Sequence, residues 1–297
     1  MMKFFECEQR VDFKGSNQSI KDLKKILGRK NKAFLGSREE DASEFLTLLL
    51  SELEESVESL GLAEENFVRR MFSYKMEESL ICSNERCRKI NIYKRSENTM
   101  WCHVNDKSKN VSVQDLVNNN GLPVELDRKC MICKSEKAYK QSKMTSLPNI
   151  MIIILKRQNF DKCTGKSNKS KNKVIITPTI SLDNLVKNSV RPPHDLQLSP
   201  SEERSETPSP VSKRKRLTDA GIAEAEYKLT SVVSHIGTGD KSGHYLADVF
   251  RYDTESWFRY SDEKVTSTNE EAVTSGNVCN GYILTYIHSP LRNKLVK

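Results

Sequence analysis

The spacing of the cysteines constrains this chain more than any other feature. Cys82-x4-Cys87 and Cys130-x2-Cys133 form two close pairs with a long segment between them. Four thiolates suit a tetrahedral Zn2+, a d10 ion that favours soft sulfur and imposes no geometry of its own. A pair on one tight turn presents two ligands together, and a second such pair closes the site. With no position left for water the site would be structural, and its assembly would contribute folding free energy. The competing reading is four ordinary cysteines, and the x4 spacing is looser than a second x2. Cys7, Cys102, Cys163 and Cys279 stand alone and read as structural or incidental. His103 follows Cys102, but neighbouring side chains on a strand point to opposite faces.

Reading these thiols as ligands instead of disulfides follows from the rest of the chain. The start, MMKFFECEQR, carries charge early and has no apolar h-region. The longest apolar run, Ile150 to Leu155, is far too short to cross a bilayer. An intracellular protein without a membrane segment is the expectation, and such proteins keep cysteines reduced. The 297 residues can bury a sizeable core, yet 36% hydrophobic and 30% charged residues is polar for a globule. Part of the chain is therefore expected to stay unfolded. The net charge of +8 collects in a lysine run over 162–173 and in KRKR at 213–216. Both are solvated loops on the plain reading; nuclear import or nucleic-acid contact is the sharper one for KRKR. A zinc-containing nucleic-acid binder is disfavoured, because no aromatic residues interleave with the basic ones.

Periodicity divides the chain into four textures. Ala42, Phe45, Leu46, Leu49, Leu50, Leu53, Val57 and Leu60 recur at three- and four-residue spacing, which predicts an amphipathic helix. Ser37 with Glu40 has the capping-box pattern, and Gly61 suits the stop. Residues 67–147 hold the cysteine pairs among short alternating stretches, and NIMIIIL (149–155) reads as a buried strand. Residues 159–220 are rich in Ser, Pro and charge, so mostly disordered, apart from VIITPTISLDNLV (174–186) as strand and turn. From Tyr227 onward YKLTSVVSHI, GHYLADVFR, SWFRYSD and GYILTYI alternate like antiparallel strands. The expected class is α+β.

His244 draws attention within the last texture. A lone histidine on a strand is more often structural than catalytic. This one follows Gly243 at the end of a glycine-rich loop (Gly237, Gly239, Gly243) and opens an apolar strand. Glycines there allow close backbone approach to a substrate, or loop movement. The next strand brings Trp257, then Ser261 and Asp262, where a polar group could orient the imidazole through its Nδ1 proton.

At this point SGHYLADVFRYDTESWFRYSDEKV followed by GYILTYI resembles the His box of the ubiquitin-specific proteases. Three further segments agree, in order. REEDASEFL (38–46) is similar to the family's Q-Q-D-A-H-E-F-L helix start, the cysteine pairs to its zinc ribbon, and LPNIMIIILKRQNF (147–160) to its L-P-x-x-L-x-x-x-L-K-R-F strand. The resemblance covers nearly the whole chain apart from the polar insert.

The resemblance implies a papain-like cysteine protease fold of thumb-palm-fingers type, with the thumb truncated at its N-terminal side. Residues 1–66 would be a helical thumb remnant, 67–158 fingers with the zinc ribbon and the start of the palm, 159–220 a mostly disordered insert, and 221–297 palm with the His box. It implies thiol-dependent hydrolysis of the isopeptide bond at ubiquitin's C-terminus, ubiquitin as partner, structural Zn2+ on Cys82, Cys87, Cys130 and Cys133, and a nuclear and cytoplasmic location. His244 matches the general base. The third triad position, Asp or Asn in the family, reads Ser261 here, and Asp262 matches a second acidic position. Asp41 and Glu44 match positions that contact arginines of the ubiquitin tail, although plain helix capping explains them equally well. Gly243 and Tyr245 match substrate-binding positions. The family's nucleophile lies in a G-L-x-N-L-G-N-T-C-Y box upstream of the helix, and these residues contain no such box. Cys7 lacks the Gly-Asn-Thr neighbours. The expectation is a deubiquitinase, truncated or inactive in this form, or a non-catalytic ubiquitin-binding pseudoprotease.

Overall fold

The computed structural model describes residues 13–36, 38–62, 66–104, 110–161, 166–187, 225–237 and 243–295. Cys7, Ser37, Cys163, Gly239, KRKR and the insert over 188–224 lie outside them. Two compact units emerge: Met1–Met71 with Gln158–Lys169 and His235–Tyr245, and Phe72–Arg157 with Ser170–Ser234 and Leu246–Lys297.

The first unit is built on helices α1 (Phe13–Lys30) and α2 (Ala42–Ser59), linked by a 3-10 turn over Lys32–Leu35. α2 is the amphipathic helix expected from the apolar spacing, and it stops at Gly61 as expected, but its start differs. Asp41 is the N-cap: its Oδ1 accepts from the backbone N–H groups of Ser43 at 2.7 Å and Glu44 at 3.0 Å. That places the start after Glu40 and removes any need for the Ser37–Glu40 box. At the other end Leu60 is the C-cap and 72% exposed, beyond the apolar stripe, and Gly61 turns the chain at φ 74°. Leu27, Phe34, Leu50 and Val68 are buried in this unit, and Phe34 meets Phe45 edge to face at 5.5 Å. Lys30 pairs with Glu52 at 3.0 Å and Glu55 at 3.2 Å, tying α1 to α2 at the surface. Strands β8 (Gln158–Asp161) and β9 (Lys166–Lys169) form a hairpin in a stretch whose composition predicts disorder.

The second unit contains two main sheets. The smaller, antiparallel throughout, runs β2-β1-β6-β5, with β1 Tyr74–Cys82, β2 Ile90–Glu97, β5 Val124–Asp127 and β6 Lys137–Ser146. The larger follows the order β15-β14-β13-β12-β16-β7-β3, with β11 (Thr179–Ser181) also on β12. Its strands are β3 Met100–His103, β7 Ile150–Lys156, β12 Glu226–Ile236, β13 His244–Arg251, β14 Ser256–Ser261, β15 Lys264–Thr268 and β16 Gly281–His288. A short parallel pair joins β4 (Val111–Ser112) to β10 (Val174–Ile175). β7 lies between β16 and a parallel β3, and Met151 to Leu155 are all buried, which explains its unbroken apolar run. Helix α3 (Phe67–Phe72) leads into β1. Helices α4 (Val113–Asn119), capped by a Ser112–Asp115 box, and α5 (Asp183–Lys187) add Val113, Leu116, Val117 and Leu185 to the core.

Two buried ionic groups fix the larger sheet. Arg157, 2% exposed, donates to the carbonyls of Gly281 at 2.8 Å, Asn172 at 2.7 Å and Val278 at 2.9 Å. Burial pulls its pKa down to about 10, and three carbonyl acceptors offset part of that cost. Asp248 is fully buried on β13 and accepts a bidentate pair from Arg259 on β14, at 2.7 and 2.8 Å. Asn277 adds a third bond at 2.7 Å, while its own carbonyl oxygen accepts from Ser234 at 2.7 Å. Removing the carboxylate leaves a guanidinium and an amide without their acceptor. Asp248→Ala should therefore cost about 3–5 kcal/mol in urea unfolding. Asp253→Ala, which breaks the exposed Arg251 pair, should leave the midpoint nearly in place.

Candidate functional site

Cys82 ends β1 and Cys87 lies in the turn to β2; Cys130 and Cys133 share the turn between β5 and β6. Because β1 pairs with β6, Cys82 opposite Ala138, both turns project from the same end of the small sheet. All four sulfurs lie within 4.8 Å of one another, with Cys82 to Cys133 at 3.5 Å and Cys87 to Cys130 at 3.8 Å. A tetrahedron with metal–sulfur bonds of about 2.3 Å has edges of about 3.8 Å, so one ion fits. Each turn closes the same way. The residue after the second cysteine takes a left-handed conformation, Arg88 at φ 43° and Lys134 at φ 64°, and donates back to the Asn84 carbonyl at 2.9 Å or the Cys130 carbonyl at 3.0 Å. Ser83 bridges the turns, its hydroxyl 3.0 Å from that of Ser135 and its N–H 3.2 Å from the Lys137 carbonyl.

The electrostatics suit a cation. Backbone N–H groups of Cys133 and Ile132 directed at Cys130 pull its thiol down to about 6, whereas burial pushes Cys82 up to about 12. A thiolate at Cys82 is costly unless a positive charge sits beside it. The tetracysteine cluster can bind a metal ion. His103 belongs to no metal-ligating group among the described residues.

The His segment is seated within the first unit. His244 is the first residue of β13 and partly buried. Gly243 before it donates its N–H to Glu39 Oε2 at 2.6 Å. Tyr245 after it accepts, through its phenol oxygen, the N–H of Ala42 at 3.4 Å, the first residue of α2. Burial raises the Tyr245 pKa, and the carboxylates of Asp41 and Glu39 push the same way, so the phenol keeps its proton. The His235 ring packs on that of Tyr245 at 4.7 Å, and Lys169 Nζ lies 2.9 Å from His235 Nδ1 and 2.7 Å from its carbonyl. A Cβ at 243 would lie 2.2 Å from His235 Nε2 and 2.8 Å from the Ile236 carbonyl. Space against an imidazole and a backbone carbonyl together is therefore what demands glycine here.

The remaining predicted residues fall as follows. Asp41 is occupied as the helix cap, its Oδ1 also accepting from the Ser43 hydroxyl at 2.5 Å, and Glu44 is exposed in the first turn. Ser261, partly buried, ends β14 and pairs with Lys264; Asp262, exposed at φ 50°, begins the tight turn between them. Aspartate tolerates that region better than most residues. Glu39, His235 and Lys169 escape the sequence reading, since nothing in SREEDAS, SHIG or the lysine run marks them apart from other polar positions.

A sequence profile described as ubiquitin carboxyl-terminal hydrolase matches residues 6–286. The chain belongs to the ubiquitin carboxyl-terminal hydrolase family. It is 37% identical over 91 residues to ubiquitin carboxyl-terminal hydrolase 37 of Mus musculus, covering 31% of this chain and 9% of that protein. It is 26% identical over 251 residues to probable ubiquitin carboxyl-terminal hydrolase 9 of Schizosaccharomyces pombe, covering 82% and 37%. The chain thus spans well under half of either relative. Among solved structures it is similar to the Ubp8 chain of the SAGA DUB module Ubp8/Sgf11/Sus1/Sgf73 bound to monoubiquitin. The TM-score is 0.66 at 20% identity, over 89% of this chain and 52% of that one. The α+β fold is that of the papain-like ubiquitin hydrolases of this family.

The close approach at Gly243 has a measurable consequence. Gly243→Ala should destabilise by about 1–3 kcal/mol, as overpacking does. Combined with His235→Ala, which removes the nearest obstacle, the two effects should fall short of additivity by at least about 0.5 kcal/mol in a denaturation double-mutant cycle.

Proposed function

We propose that this chain is the ubiquitin-holding part of a thiol-dependent deubiquitinase, and that its 297 residues by themselves bind ubiquitin without hydrolysing the isopeptide bond. The observation that carries the reading is the joining of two family motifs 204 positions apart. The His-box strand is tethered at Gly243 and Tyr245 to the segment that starts α2. Family membership and the relative bound to monoubiquitin support ubiquitin as the partner.

In this reading His244 takes the proton of an attacking thiol and later returns it to the leaving amine. Ser261 and Asp262 stand at the family's third-triad and second acidic positions, and of the two only Asp262 carries a charge, since a hydroxyl accepts a hydrogen bond but offsets no charge. Asp41 and Glu44 face the arginines of the ubiquitin tail, where carboxylate–guanidinium pairs give orientation. Gly243 and Tyr245 line the path of the tail. Zn2+ on the four cysteines has no part in the chemistry and pins the two turns of the small sheet.

A ubiquitin C-terminal electrophile separates this reading from a competent protease. The chain should form no adduct while still capturing ubiquitin in a pull-down. An adduct abolished by Cys7→Ala would make Cys7 the nucleophile and overturn the proposal. Metal analysis should find about one zinc per chain, with Cys130→Ser releasing it and lowering the unfolding midpoint. Unchanged zinc content in that variant would refute the tetrathiolate site.

A further inference from the structure

His235 lies outside the roles assigned above, yet it touches the residues on both sides of His244. Its ring packs at a tilt against that of Tyr245, centroids 4.7 Å apart, and its Nε2 edge faces the α-carbon of Gly243 so closely that a methyl there would overlap it. Lys169, the last residue of β9, reaches Nδ1 at 2.9 Å and the His235 carbonyl at 2.7 Å. An ammonium can only donate, so Nδ1 is the accepting nitrogen and the ring proton sits on Nε2. The ring is thereby held as a neutral imidazole in one orientation.

We propose that His235, oriented by Lys169, is a positioning residue for His244. It is the wall against which the backbone at Gly243 and the ring of Tyr245 are seated, so that β13 begins at one fixed place. The two bonds from this segment, Gly243 to Glu39 and Tyr245 to Ala42, hold only while that seat is kept. A flat ring is well shaped for such a wall, since its edge fills the space a glycine leaves while the rest of it packs at a tilt against Tyr245. The inference rests on the reading of His244 as the family's His-box residue, but the seat itself can be measured without ubiquitin.

The test is amide hydrogen exchange by NMR on the full chain, with Lys169→Met, His235→Ala and His235→Asn. Asparagine keeps an acceptor where Nδ1 was and so keeps Lys169 in place. Exchange at Gly243 should quicken by about tenfold or more in His235→Ala and Lys169→Met and return only in part in His235→Asn, which keeps the Lys169 contact but has no ring to fill the seat, with the Ile153 and Leu284 amides unmoved. Affinity for ubiquitin should weaken in the same order, and by more than any loss of global stability accounts for. Unaltered exchange at Gly243, or equal quickening throughout the core, would overturn the inference and reduce His235 to a packing residue. The expected exchange pattern in a chain without ubiquitin affinity would uphold the seat and instead defeat the proposed function.

Discussion

The small sheet carries its four sulfurs at one end, beside a strand that buries almost nothing. β2 is exposed along almost its whole length, with Ile90, Ile92 and Tyr93 each roughly half accessible. A strand that buries so few side chains gains little from the hydrophobic effect, and backbone pairing alone is a weak anchor. The turns that carry the cysteines are where such a sheet would fray. One ion bridging both turns would add four strong bonds there, and the left-handed residues at 88 and 134 close the two turns that bring the sulfurs together.

The larger sheet is secured by different means. Its core is apolar and continuous, from Met100 and Leu155 through Leu229 to Tyr286. Within it the paired Asp248 and the carbonyl-bound Arg157 add direction, which dispersion forces lack. Arg157 draws together chain segments near 172 and 280, so a single side chain organises the surroundings of β16.

Much of this is legible in the sequence alone. Two cysteine pairs announce a cluster because few other arrangements use that spacing, and the helix and the buried strand announce themselves by period. The Ser37–Glu40 pattern misplaces the start of α2, since capping chemistry is shared by Ser and Asp and only geometry chooses between them. The burial of Arg157 leaves no local trace in the sequence, because two of its carbonyl acceptors lie more than a hundred positions away. The β8–β9 hairpin carries mostly polar residues, so its backbone pairing leaves no hydrophobic signature. His235 and Lys169 are likewise silent, because their pairing exists only once β9 and β12 have formed.

The clamp on the small sheet is the claim most open to direct measurement. Zinc-edge X-ray absorption on the purified chain reports the atoms around the ion and their distances. Four sulfur neighbours at about 2.3 Å are predicted. A shell containing nitrogen or oxygen ligands, or no bound zinc at all, would contradict the account.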